Sequence, residues 1–196
     1  MTEEELIKMA AKGDQDAFAQ LLEAHQGKVY GLTLRLTGSP EDAAELTQET
    51  FFNAWRGLPH FHGESKFSTW LYRLATNATI DFLRREKRRR AMTAAPLGVD
   101  DDDHPTLDIP DQGLSPQGEL ERKELRQAIE RGLEQLSDEH RQVLVMREFS
   151  GLSYGEIAQI LNIEEGTVKS RIARARLALR KILLADGNFS APTASI

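Results

Sequence analysis

The chain has 196 residues, a formal charge of −6 and no cysteine. Its length permits one domain or two small ones, and a composition of 40% apolar and 29% charged residues supplies enough hydrophobic material for helical cores. The absence of thiols excludes disulfides and thiolate metal sites, no apolar run approaches the roughly 18–20 residues of a membrane span, and the acidic start MTEEELIKMA does not read as a secretory signal. A cytoplasmic protein with no direct membrane insertion is expected.

Helix-period patterning dominates and no run of alternating β-branched residues stands out, so the expected fold class is all-α. Thr2 and Glu5 form a capping box ahead of Leu6, Ile7 and Met9. Phe18, Leu22, His25, Val29, Leu32 and Leu36 then recur at spacings of 4 and 3, which is one buried helix face with His25 as a packed histidine. The segment TGSPEDAAELTQETFFNAW restarts the chain, with Ser39 as N-cap, Pro40 in the first turn and acids just behind it. On the predicted helix from Glu41 to Trp55, Asp42, Glu45, Glu49 and Phe52 recur at 3, 4 and 3, with Gln48 beside them, while Phe51 and Ala54 point inward. An acidic, amide-bearing face with an exposed aromatic suits a protein partner and cannot suit DNA.

GLPHFHGESK, with two Gly and a Pro, reads as a loop, and a long helix runs from about Ser65 towards Arg90. Phe67, Leu71, Leu74, Ala78 and Phe82 are its expected buried stripe. Another face carries Trp70, Arg73, Asn77, Asp81, Arg84 and Arg88, and six of the seven residues 84–90 are Lys or Arg. Trp, amide and Arg side chains on one face can stack on, read and neutralise single-stranded nucleic acid. The competing readings are wall packing for Trp70 and a solvated helix end for Arg84–Arg90.

Residues 91–118, with LGVDDDDHPTLDIPDQGLSPQG, are rich in Asp, Pro and Gly and read as a self-repelling flexible linker. Periodicity returns with Leu125, Ile129, Leu133 and Leu136, followed by Ser137 as an N-cap. Ser153 and Glu156 make another capping box before Ile157, Ala158, Ile160 and Leu161. A tight connection at Asn162–Glu164 leads into TVKSRIARARLALRK, whose Val168, Ile172, Ala175, Leu179 and Ile182 point at a core. The sixteen residues 166–181 hold six Lys or Arg and no acid, so the rest of the chain carries twice the net negative charge of the whole. Two short helices joined by a tight turn, the second basic and amphipathic, form the pattern of a helix-turn-helix. Lys169, Ser170 and Arg174 can reach base edges, small Ala173 permits close approach, and flanking Arg can neutralise phosphates. The expected organisation is therefore a helical domain over 1–90, the linker 91–118, a second helical domain over 119–185 and a disordered tail over 186–196.

ELTQETFFNAW, KFSTWLYRLATNATIDFLRR and LSYGEIAQILNIEEGTVKSRIARAR, in this order around an acidic linker, resemble the extracytoplasmic-function (ECF) class of bacterial RNA polymerase sigma factors. The resemblance implies two helical domains, region two and region four. It implies that Asp42, Glu45, Gln48, Glu49 and Phe52 dock on core RNA polymerase, where the class usually has Asp in place of Glu45. The loop of about Leu58–Ser65 and the helix after it would melt and read the −10 promoter element as single strand. The residues implied are His60, Phe61, His62, Trp70, Arg73, Asn77, Asp81, Arg84, Arg85 and Arg88, with one base flipped into a loop pocket. Thr167, Lys169, Ser170, Arg171, Ala173, Arg174 and Arg176 would read the −35 element as duplex DNA. An anti-sigma factor, of a kind often membrane-anchored, is the expected regulator, and Asp100–Asp103 would keep the linker extended along the polymerase's basic RNA path.

No enzymatic chemistry is expected, since no nucleophile motif or Gly-rich phosphate loop occurs. No metal or other cofactor is expected, because the five His are dispersed without partners at ligand spacing. A plain dimeric regulator would leave the acid-faced helix and FSTWLYRLATN without a role. A serine recombinase would need a catalytic α/β domain, and a structural adaptor would not use the basic helix.

Overall fold

The computed structural model describes the backbone of residues 1–93 and 116–185 and the side chains of residues 1–92 and 123–185. Among them every regular element is helical: α1 (Glu3–Ala10), α2 (Gln15–Thr37), α3 (Pro40–Gly57), α4 (Phe67–Thr93), α5 (Pro116–Glu134), α6 (Asp138–Leu144), α7 (Tyr154–Leu161) and α8 (Glu165–Ala185). A 3₁₀ turn (Leu58–His60) follows α3 and a π turn (Val145–Phe149) follows α6. Most of the expected acidic linker, with Asp100–Asp103, and the expected tail lie outside the described residues.

Local chemistry sets most helix ends. Thr2 and Glu5 close a capping box on α1, and Asp14 accepts from the Ala17 N–H at 2.9 Å to start α2. Gly38, in the left-handed conformation at φ 72°, stops α2. Ser39 then accepts from the Asp42 N–H at 3.3 Å and Pro40 opens α3. Ser137 holds the expected cap position but its hydroxyl makes no capping bond; its carbonyl instead accepts the Arg141 N–H at 2.9 Å.

Helix α2 is the spine of the first bundle, contacting α1, α3 and α4. Leu21, His25, Val29, Leu32 and Leu36 are buried along it, whereas Phe18 and Leu22, expected in the same stripe, are half-buried where α2 and α3 border a surface groove. His25 Nε2 lies 2.8 Å from Glu3 Oε1 and its ring meets the Phe67 ring edge-on at 5.2 Å, so it pins α1 and α4 to α2. Buried Thr33 Oγ1 lies 3.1 Å from the Ala43 carbonyl and ties α2 to α3.

The buried side of α4 differs from the expected stripe. Phe67, Leu71, Ala75, Thr76, Thr79 and Ile80 are buried, while Leu74, Ala78 and Phe82 are half-buried. The reason is that α4 is covered from two directions, by α2 and α3 and also by α7 of the second bundle, which the 3.6-residue period of an isolated helix does not encode.

In the second bundle α8 packs on α5, α6 and α7. Gly132 marks the α5–α8 crossing, because a Cβ there would lie 2.7 Å from Leu179 Cδ1. Leu125, two turns upstream, is left 42% exposed rather than buried as its spacing suggested. Asn162, at φ 53°, ends α7 in the left-handed region, and the Ile163 N–H returns to the Ala158 carbonyl at 3.0 Å. That single residue makes the tight turn between α7 and α8. The buried residues of the two bundles join in one continuous cluster.

Leu71 is fully buried at the centre of the first bundle. Leu71→Ala is expected to cost about 2–5 kcal/mol, read as a lowered midpoint in urea unfolding followed by circular dichroism.

Candidate nucleic-acid and polymerase interfaces

Three surfaces collect the candidate residues. On α3, Glu45, Gln48 and Glu49 are exposed, Asp42 is half-buried near the helix start, and Phe52 is 60% exposed. Phe51 and Ala54 are buried as expected. Beside Phe52 a shallow groove between α2 and α3 is lined by Phe18, Leu22, Phe51 and Trp55 together with Gln48. The Phe18 and Trp55 rings meet at 4.9 Å and shape its floor. Phe18, Leu22 and Trp55 were absent from the sequence-derived site because apolar residues at helical spacing read as core. The only available signal was their neighbourhood to Phe52, which needs the α2–α3 packing to be known. The surface is thus an apolar groove with amide groups at its edge, on the same helix as the exposed Glu45 and Glu49.

The second surface is the loop after α3 together with α4. Leu58 is fully buried and anchors the loop, while His60 and His62 are exposed. Phe61 packs on Trp70 at 5.0 Å and on Phe67 at 6.0 Å between ring centroids. Gly57 leaves room for Trp70, since a Cβ there would meet Trp70 Cζ2 at 3.2 Å. Phe61 and Trp70 therefore form a half-buried aromatic wall that fixes the loop against α4. Asn77, Asp81, Arg84, Arg85 and Arg88 are exposed along the same helix.

Two cations of this surface are held by the second bundle. Arg73 pairs with Glu156 of α7. Arg84 donates through Nη2 to the Ile160 carbonyl at 2.7 Å, and its Nη1 lies 3.3 Å from Asp81 Oδ1. Burial acts to raise the Glu156 pKa, but hydrogen bonds from the Ser153 backbone and hydroxyl, with the Arg73 charge, outweigh it and leave the carboxyl below its ordinary value. Its contribution is present above the ordinary carboxylate range and is lost as pH falls through the lowered value.

The third surface is α8. Lys169, Ser170, Ala173, Arg174 and Arg176 are exposed, and Thr167 and Arg171 are half-buried. Ser170 donates to the Thr167 carbonyl at 2.9 Å, which steadies the hydroxyl on the helix. Several cations are already paired: Lys169 with Glu165 at 2.8 Å, Arg171 with Glu139 at 3.1 Å and Arg176 with Glu148 at 2.6 Å. The Glu165 hydrogen bond and charge raise the Lys169 pKa, so the ammonium stays charged. These are exposed pairs of small net worth, and incoming phosphates can replace them. No group of His, Cys, Asp and Glu among the described residues is arranged to hold a metal ion, and no described helix is long and apolar enough to cross a membrane.

The Sigma-70 region 2 family matches residues 21–89, and the Sigma-70 region 4 family matches residues 126–179. The chain is 40% identical to the ECF RNA polymerase sigma factor SigW of Bacillus subtilis, an alignment covering 90% of this chain and 94% of that protein. It is 38% identical to the ECF RNA polymerase sigma-E factor of Escherichia coli K12, covering 91% of this chain and 93% of that protein. Among solved structures it is similar to the sigma factor RpoE of Bartonella quintana, crystallised with the anti-sigma factor NepR, at a TM-score of 0.61 and 25% identity over 86% of this chain and 98% of that one. With both family models matched and relatives at 38–40% identity along nearly the whole length, the chain belongs to the ECF class of RNA polymerase sigma factors.

Proposed function

We propose that residues 1–90 dock on core RNA polymerase through α3 and open and read the −10 element with the loop after α3 and α4, while residues 119–185 read the −35 element with α8. The observation that carries this reading is the segregation of three exposed faces on one chain: carboxylates around Phe52 on α3, Arg and amide groups along α4, and Lys and Arg along α8. An apolar groove on a helix that also exposes carboxylates disfavours DNA and suits a basic amphipathic helix of a protein partner, so Asp42, Glu45, Gln48, Glu49 and Phe52 face the polymerase. Asn77 and Asp81 present hydrogen-bonding groups to unstacked bases, Arg73, Arg84, Arg85 and Arg88 present cations to the strand backbone, and His60 and His62 ride on the loop that Phe61 and Trp70 hold in place.

On α8, Lys169, Ser170 and Arg174 face base edges in the major groove and Ala173 allows close approach. Thr167, Arg171 and Arg176 lie on phosphates, the two Arg exchanging their Glu partners for phosphate oxygens. The protein acts without catalytic chemistry of its own, in the cytoplasm where the polymerase is. The net charge of −6 opposes tight DNA binding by the free chain. An anti-sigma factor that covers the polymerase-docking face completes the control; the similar sigma factor RpoE of Bartonella quintana forms a complex with the anti-sigma factor NepR.

Run-off transcription with bacterial core polymerase over a promoter library tests the whole reading. Specific starts are expected only when core and this protein are both present; tight specific duplex binding without redirected initiation would establish a plain regulator instead. Phe52→Ala is expected to weaken core binding about tenfold or more, as a truncated aromatic anchor does, measured by titrating labelled protein against core. Arg174→Ala is expected to cost about 1–3 kcal/mol at the −35 element and to relax its base preference, measured by duplex competition.

A further inference from the structure

None of the residues assigned to polymerase or promoter lies on α1, yet the first residue of that helix reaches the bundle beneath the reading loop. Glu3 Oε1 lies 2.8 Å from His25 Nε2, and because an ionised carboxylate only accepts, Nε2 carries the proton. The His25 side chain is 9% exposed, and its Nδ1 is buried with no hydrogen-bond partner among the described residues. The bond to Glu3 is therefore the polar anchor that orients the ring. The imidazole meets the Phe67 ring edge-on at 5.2 Å. Phe67 opens α4, is almost fully buried, and touches both members of the aromatic wall, Phe61 at 6.0 Å and Trp70 at 5.8 Å. Burial, and then the Glu3 charge, raise the Tyr72 pKa, which agrees with a carboxylate seated where α1, α2 and α4 meet.

We propose that Glu3 and His25 are positioning residues for −10 reading: through Phe67 they hold the Phe61–Trp70 wall, and with it the loop that carries His60 and His62, where the unpaired strand is read. The loop leaves the wall at Phe61 and returns to it at Phe67, turning at Gly63 (φ 75°) through exposed residues 62–64. A loop with so few internal contacts takes its shape from its ends, and the Phe61–Phe67 contact joins those ends. Edge-to-face contacts are directional, so a turned imidazole no longer fits the Phe67 ring. Loss of the Glu3 carboxylate leaves both ring nitrogens of a buried His25 without partners, a cost the ring escapes by turning towards water. The competing role for Glu3 is a first-turn acid that favours the α1 dipole, a role that exposed Glu4 in the same turn shares. The two roles differ in what they require of the side chain. Dipole stabilisation needs a charge, whereas holding His25 needs an oxygen acceptor at that position.

This inference rests on the loop and α4 being the −10 surface, so the test separates the two. The chain has two tryptophans, and Trp55→Phe leaves Trp70 to report on the wall by fluorescence in the free protein, with no DNA present. In that background Glu3→Ala is expected to shift Trp70 emission to the red and to make it more readily quenched by acrylamide. Glu3→Gln, which keeps an acceptor for the imidazole N–H, and Glu4→Ala are expected to match the parent. Leu6 and Ile7 pack α1 on the core, so the helix stays docked without the Glu3 carboxylate. With native Trp55 and in holoenzyme assembled on core polymerase, Glu3→Ala is expected to bind a fluorescent −10 non-template strand, taken from a promoter selected by transcription, about two- to tenfold more weakly. Glu3→Gln should restore that binding, and the affinity of the free protein for the −35 duplex should not change. In a Phe61→Ala background Glu3→Ala should cost nothing further, because the wall through which it acts is already lost.

An unchanged Trp70 signal in Glu3→Ala, or unchanged strand binding by its holoenzyme, overturns the positioning role while leaving the promoter reading intact. Equal losses in Glu3→Ala, Glu3→Gln and Glu4→Ala also overturn it, since they assign the effect to helix charge. Losses from Glu3→Ala and Phe61→Ala that simply add overturn the route through the wall. Absence of any specific start with wild-type protein and core sinks the promoter reading, and a Trp70 signal that still responds to Glu3→Ala would then show that the link from α1 to the wall was not at fault.

Discussion

Everything in the first bundle depends on the buried side of α2. Leu21, His25, Val29, Leu32 and Leu36 give α1, α3 and α4 a common surface to pack on, and His25 and Thr33 add polar links to α1 and α3. Helix packing of this kind leaves each outer helix one free side, and the direction of that side is set by how the helix leans on α2. Because α3 and α4 lean on different parts of α2, the carboxylates around Phe52 and the cations of α4 are not forced onto one surface. Had they been, they would have neutralised one another, and neither partner could have been recognised.

Charge segregation then explains how an acidic protein reads DNA. Acid-poor runs of cations lie on α4 and α8, and several of those described there have a carboxylate or carbonyl oxygen within reach. Such exposed pairs contribute little to stability. Their larger effect is on binding, since each phosphate contact must displace an internal acceptor, which lowers non-specific affinity more than it lowers recognition at a site offering many contacts at once.

Much of the helical framework was legible from the residues alone, because caps and face periodicity are local properties. Thr2 with Glu5, Ser39 with Pro40, and Ser153 with Glu156 announced three helix starts within a few residues of chain. The exposed side of α3 followed from a 3.6-residue period and needed no partner to be known. Where a helix is covered from two directions, that logic stops. On α4 it put Ala78 and Phe82 inside and overlooked Thr76, whose burial comes from Ser150 in the other bundle. Leu125 read as core for the same reason, since the sequence does not say where along α5 the crossing by α8 falls.

By itself, then, the sequence determined the helical class, most helix starts, and the chemistry of each exposed face, because these rest on interactions between residues at most four positions apart. It also determined the family, through three blocks of residues in a characteristic order. Only the tertiary structure decided that Phe18, Leu22 and Trp55 border the groove beside Phe52, that Phe61 and Trp70 form a wall, and that α7 packs on α4. These depend on contacts such as Arg84 with Ile160, separated by 76 positions in the chain. At that distance the encounter is set by the packing of whole helices, which no local pattern records.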